Sequence, residues 1–475
     1  MSGIFLKEVN PVLSVYKILC IGALIIQVLV FACVPSFGDY GQMCFISLVQ
    51  LALFVAIALA SPCRQPFCIL FLVANWIFNC GQIACIAAGH ADALNLDFRW
   101  YGSQETIASA FRFYLYSQTF IAAGAILFQK LSVAGSSRVI SSFGANAKGV
   151  ARCLIIIGLP FWLYVNISKI LGAAADAYRG VYSLIIPAPI QAAAFFFEAG
   201  LFMMLLIIGR ERKGTVLFWS VAALKVAIMA TGGRQDSVCF LAIWCLLYFW
   251  YLRRLTIAQG VTMAFSVLIL MFAVDAFGEL RTGGFSFEAL FDYLAKANLL
   301  DVIWDSLGEF GCAFSTLVVS MANVPDGLNY GMGASYLAGI LSVVPMLVSN
   351  FPSLKAATLF TASLPGTSFL GGSMLGEFYF NFGWFGIVGA FFVGAAVAWC
   401  QNRFNEADGA KRGVYIWAAA VLAMFLLLFI RGYFTDAMMK IVYVFLFAWV
   451  ASGLIRRFSK REKRDVAPAT KVVLP

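Results

Sequence analysis

The sequence predicts an all-α polytopic integral membrane protein with about 12 transmembrane helices and one large loop late in the chain. Three observations carry this. Hydrophobic residues make up 62% of the 475 and charged residues only 12%, with mean hydropathy +0.89. Apolar runs of about 20 residues recur, each long enough to cross a hydrocarbon core of about 30 Å. Lysine and arginine concentrate in alternate loops. Inside lipid every backbone polar group needs an internal partner, so such runs must be helical.

Spans are expected at 15–34, 42–60, 66–88, 113–130, 151–171, 191–209, 214–231, 237–252, 256–275, 378–400, 413–430 and 436–455. The first run is longer than the apolar core of a cleaved signal and lacks an Ala-x-Ala-like end, so it is expected to stay as a span. One set of loops holds Arg64, Lys130, Arg138, Lys148, Arg152, Arg210, Arg212, Lys213, Arg253, Arg254, Arg403, Lys411 and Arg412. Lys7, Lys17 and the tail Arg456–Arg464 belong with it. The positive-inside rule puts that set, and both termini, in the cytoplasm. The formal charge of +10 then reflects topology and contact with anionic lipid, not nucleic acid.

The twelve cysteines lie mostly in apolar runs, as Cys20, Cys153, Cys245 and Cys400 do, and act as small buried hydrophobes. No Cys/His spacing suggests a metal site, and His90 is the one histidine. It lies in the outward loop before the fourth span, where it is expected as a surface or lid residue. Neither metal nor organic cofactor is expected.

The sixth span carries Glu198 and the seventh Lys225. Both fall roughly 9–12 Å below the outer surface at 1.5 Å per residue. Intramembrane charges pair or line a cavity, and these two can do either. The seventh span ends in Thr231-Gly232-Gly233-Arg234-Gln235-Asp236-Ser237. Its glycines allow N–H groups to converge. Asp236 or Ser237 can cap the next helix, and Arg234 adds a full positive charge. The turn therefore makes a candidate phosphate seat, or a tight interhelical turn with a snorkelling arginine.

Residues 277–374 are the one long interruption, and they are expected as a large outward-facing loop within a single transmembrane domain, 1–475. Arg281 opens it as a second candidate phosphate ligand. Asp292, Asp301, Asp305 and Glu309 recur at helical spacings among apolar residues, the pattern of an amphipathic helix at the interface. Two further arginines face outward, Arg179 and Arg431. Each is a candidate ligand or an interface anchor.

An outward-facing cavity has no ready supply of ATP, so an enzyme there needs a pre-activated substrate such as a lipid-linked diphosphate sugar. No Asp-x-Asp is present to hold a divalent ion. Arg179, Arg234, Arg281 and Arg431 could instead stabilise the departing diphosphate. A general base would complete the site. Glu377, at the mouth of the tenth span, is the first candidate and Glu198 the second. Glu377 could equally offset the dipole of its helix N-terminus.

The chain resembles the Wzy-type O-antigen, or oligosaccharide repeat-unit, polymerases. The likeness rests on the overall plan, on the small-small-Arg turn Gly232-Gly233-Arg234, and on Gly376-Glu377-Phe378-Tyr379-Phe380-Asn381-Phe382-Gly383-Trp384-Phe385-Gly386. Many relatives have Gly-Ser-Arg at the turn, so a serine hydroxyl is missing here. The resemblance implies a GT-C-like glycosyltransferase of the bacterial inner membrane with its active site facing the periplasm. It would use undecaprenyl-diphosphate-linked oligosaccharides as donor and acceptor, with a chain-length regulator protein as a possible partner. It places Arg234 at the phosphate. An O-antigen ligase is the nearest alternative, but it would lean on a histidine in the large loop, which has none. A lipid-linked oligosaccharide flippase is the alternative from another class; no inverted repeat supports it.

Overall fold

The computed structural model describes residues 11–33, 37–94, 96–130, 146–182, 186–229, 234–252, 298–344, 347, 370–405 and 412–465. Every regular element among them is helical. The helices are α1 (Pro11–Cys33), α2 (Tyr40–Ala60), α3 (Pro66–Ala87), α4 (Gln104–Phe128), α5 (Ala147–Tyr182), α6 (Ala188–Ile208), α7 (Arg212–Met229) and α8 (Arg234–Cys245). They continue as α9 (Leu299–Phe310), α10 (Ala313–Asn323), α11 (Ala334–Leu341), α12 (Met374–Phe382), α13 (Ile387–Asn405), α14 (Arg412–Ile430) and α15 (Phe434–Asp465).

Among the described residues ten stretches are long and apolar enough to cross a membrane. Nine of them coincide with predicted spans. Helices α4 and α7 form where the sequence places spans, but are too polar to count among the ten. The predicted span 256–275 lies outside the described residues. The tenth apolar stretch, Leu300–Asn323, falls in the segment expected as a loop.

Helices α4 and α13 run parallel and almost touch. A Cβ added to Gly124 would sit 3.0 Å from the backbone nitrogen of Ala395, and one on Gly394 3.0 Å from that of Ala125. Small residues let membrane helices approach this closely, because lipid offers no hydrophobic drive for association. Near their shared end, Asn402 donates to the Phe128 carbonyl (2.9 Å) and Gln401 accepts from the Phe67 N–H (2.9 Å). Lys17 donates to the carbonyls of Leu127 and Gln129, and Asn405 to that of Arg64. Lys17, Arg64 and Lys130, from three separate basic segments, are thus gathered at one end of the bundle.

At the opposite end α9 lies antiparallel on the last turns of α3. The Gly311 Cα would be 3.3 Å from a Cβ on Gly81, Gln82 donates to the Gly308 carbonyl, and the Phe78 and Phe310 rings are 5.8 Å apart. Helix α10 then packs beside α12, where a Cβ on Gly376 would be 3.2 Å from the Thr316 carbonyl oxygen. Residues Ala313–Ser320 are all buried. Helices α9 and α10, from the segment expected to carry interfacial helices, are thus packed against the bundle, on α3 and α12. The cause is the glycine contact with α3, which lets backbone meet backbone where a larger residue would hold α9 off.

Candidate functional site

At this second end α5, α6, α7, α8, α14 and α15 enclose a charged chamber with two lobes. The deeper lobe, of about 80 Å³, is lined by Trp162, Asn166, Lys169, Gln191, Glu198, Lys225 and Asp236 among others. The outer lobe, of about 110 Å³, is lined by Gln235, Asp236, Arg431, Asp436 and Lys440 with apolar neighbours. Asp236, Phe425, Leu428 and Lys440 line both lobes, which therefore adjoin each other.

Each charge arrives on a different helix. Helix α6 brings Glu198 and α7 brings Lys225, which form a direct ion pair. Trp162 of α5 donates its indole N–H to the same carboxylate oxygen at 3.4 Å, and the Lys225 ammonium stands 4.4 Å from the centre of the Phe240 ring. Asp236 lies in the first turn of α8, where a negative charge complements the helix dipole, so it acts inside the helix and not as its cap. Its carboxylate is 4.0 Å from the Lys169 ammonium. Lys440 sits a turn and a half into α15 and makes no direct ion pair among the described residues.

Arg431 occupies the short link between α14 and α15. Helix C-termini leave carbonyls without partners, and Gln235 covers two of them here. Its amide donates to Leu428 O (3.1 Å) and Arg431 O (3.2 Å). The backbone that presents Arg431 to the chamber is therefore tied to α8.

The remaining predicted residues fall elsewhere. Arg234 lies next to the lining residue Gln235, but its guanidinium pairs with Glu309 and so ties α8 to α9. Glu309, whose side chain stays 35% exposed, is thereby a strut partner at the rim of the bundle. Glu377 is buried and does not line the chamber. Its two oxygens accept from the Ser335 hydroxyl (2.6 Å) and the Phe434 N–H (3.0 Å). Beside it the Tyr336 hydroxyl is buried without a hydrogen-bond partner; burial first, then the Glu377 charge, pushes its pKa well above the usual tyrosine range. His90 stacks on Trp304 with ring centres 5.1 Å apart. Arg281, the Arg179 side chain and the turn Thr231–Gly233 lie outside the described residues.

The sequence reasoning missed Lys169, Lys440 and Asp436. Lys440 carried a signal, as a cation inside the apolar run Met438-Met439-Lys440-Ile441-Val442. Among the described residues no three His, Cys, Asp or Glu side chains gather as a metal site.

The pairing of Arg234 leads to a direct test. Arg234→Ala and Glu309→Ala are expected to impair the protein to within about twofold of each other, because each removes one half of the same strut. Activity of matched membrane preparations would measure it. A severe loss with Arg234→Ala beside a normal Glu309→Ala would instead make Arg234 a ligand in its own right.

Ten membrane-length apolar helices, together with a chamber of mixed charge at the end away from the basic segments, define a polytopic membrane protein with a built polar site. Residues 16–462 match the family described as O-antigen polysaccharide polymerase Wzy. The match covers nearly the whole chain, and the chain belongs to that family. No curated protein and no solved structure matches it.

Proposed function

We propose that this chain polymerises lipid-linked oligosaccharide repeat units of O-antigen or a related surface polysaccharide. The growing glycan leaves undecaprenyl diphosphate and joins the sugar of an undecaprenyl-diphosphate-linked repeat unit, at the periplasmic face of the inner membrane. Family membership supports the polymerase reading. One structural observation carries the placement of the chemistry: Arg431 and Lys440 line the same lobe, and Lys440 has no carboxylate in direct contact among the described residues.

In this reading Arg431 and Lys440, with Lys169 behind them, seat the donor diphosphate. The acceptor hydroxyl oxygen attacks the anomeric carbon as the bond from that carbon to the phosphate oxygen breaks. The electron pair leaves with the diphosphate, whose growing charge the cations offset. The acceptor proton passes to a chamber carboxylate. Asp236 and Asp436 line the outer lobe, whereas Glu198 is held by Lys225 and Trp162 and Glu377 stands apart. We therefore assign the base to Asp436, because Asp236 is itself paired with Lys169. The cations do this work without a metal, and the two chain termini lie in the cytoplasm, on the basic side.

The test is the lipopolysaccharide ladder of a deletion strain. Core carrying one repeat unit, restored to a full ladder by the intact chain, is the expected result. Core with no repeat unit at all would point to ligation or translocation, and an unchanged ladder would remove the protein from O-antigen assembly.

A further inference from the structure

Glu377 is a buried carboxylate with no cation in contact among the described residues, and the chemistry above does not use it. Ser335, near the start of α11, donates to one oxygen at 2.6 Å. Phe434, the first residue of α15, donates its backbone N–H to the other at 3.0 Å. One turn along α12, Asn381 donates to Ser335 Oγ and to the Glu377 carbonyl, both at 2.8 Å, and its Oδ1 accepts from the Gly333 N–H at 3.0 Å. Three helices from distant parts of the sequence meet at this one side chain.

The Phe434 N–H is one of the donors that a helix start leaves without an internal partner. A carboxylate there both accepts the hydrogen bond and meets the positive end of the α15 dipole. The Arg431-Gly432-Tyr433 link lies immediately before it. A Cβ on Gly372, just ahead of α12, would come within 2.8 Å of the Tyr433 nitrogen, so the link presses against the same segment that carries Glu377. On the other side Gln235 holds Arg431 through its carbonyl. The link is thus fixed at both ends, by Gln235 at Arg431 and by Glu377 at Phe434.

We propose that Glu377 is a positioning residue: by anchoring the first residue of α15 it sets the direction in which Arg431 enters the chamber. The proposal rests on the reading of that chamber as the diphosphate seat. It gives Glu377 a role distinct from proton transfer, since both its oxygens are occupied and neither faces the chamber.

The experiment uses the full-length protein in membrane vesicles, with lipid-linked repeat units extracted from the deletion strain as substrate. Glu377→Gln, Glu377→Ala, Arg431→Ala and the double variant Glu377→Ala/Arg431→Ala are compared at matched membrane abundance. Glu377→Gln keeps an oxygen for the Phe434 N–H and is expected to retain activity within about twofold. Glu377→Ala is expected to raise KM for the lipid-linked substrate about tenfold, the scale of one charge-assisted hydrogen bond, with a smaller change in kcat. The double variant is expected to match Arg431→Ala alone, because the anchor has nothing left to position. Loss of kcat in Glu377→Gln with KM unchanged would make Glu377 a base and overturn the proposal; so would a double variant whose loss is the product of the two single losses. Should Glu377→Ala fail to accumulate, the near-isosteric Glu377→Gln still decides. A fully active Arg431→Ala would sink the chamber reading itself, a result separable from either of the others.

Discussion

Arg431→Ala and Lys440→Ala are each expected to leave the protein in the membrane and to cut polymer formation about 10²–10³-fold, the loss usual when one preorganised group facing a developing negative charge is removed. The argument is electrostatic. Both residues line the outer lobe, on either side of Asp436 in sequence. A departing diphosphate gains charge as the glycosidic bond breaks, in a space with little water to screen it. Lys440→Arg is expected to recover part of the loss, because it restores the charge with different geometry. The ladder of complemented deletion strains gives the readout, with membrane abundance measured alongside. Normal ladders from both alanine variants would mean that the diphosphate sits elsewhere.

The second large effect concerns stability. Lys225→Met is expected to destabilise the protein by about 3–5 kcal/mol, the usual consequence of removing one partner of a buried ion pair. Among the described residues Glu198 would keep the Trp162 indole, 3.4 Å away, as its one direct hydrogen-bond partner, with Lys169 and Lys440 farther off in the same lobe. Removing both charges together, as Glu198→Gln/Lys225→Met, is expected to regain most of that loss, since no uncompensated charge remains. Thermal unfolding in detergent measures both. Equal midpoints for the single and double variants would refute the account. Whether the double variant still builds a ladder then separates a purely structural pair from one that shapes the deeper lobe.

Much of the scaffold was legible in the sequence. Nine predicted spans fall on membrane-length apolar helices because length and hydropathy are local properties that need no knowledge of partners. The pairing of Glu198 with Lys225 was legible for a similar reason, since adjacent antiparallel helices and equal depth suffice. The wall formed by α9 and α10 was not. The carboxylates of α9 follow an interfacial pattern, and the distant partners Gly81, Gln82 and Arg234 reveal that the segment is packed. Glu377 stood out within its aromatic and glycine-rich run, yet its role depends on Ser335 and Phe434, which no local reading connects to it. Arg431 was visible as an arginine at a helix end. Lys169 resembles an ordinary interface anchor, and Lys440 stands out only as a cation in an apolar run, until the fold brings both to the cavity that Asp236 lines; that meeting is a long-range property of the chain.

The tight seam between α4 and α13 also bears on how the protein is made. Gly124 faces the backbone of Phe391 and Ala395 across it, and Gly394 that of Ile121 and Ala125, although 270 positions separate the two glycines. At about 5–20 residues per second, synthesis takes roughly 15–50 s to reach the second glycine after the first. For that interval the face of α4 around Gly124 and Ala125, and the Phe67 N–H that Gln401 will cover, wait without their final neighbour. A chain that stops short of α13 never closes the seam. Its amino-terminal helices then present an open small-residue groove to the membrane's quality-control proteases, so nascent and truncated products share a vulnerability that the finished protein has lost.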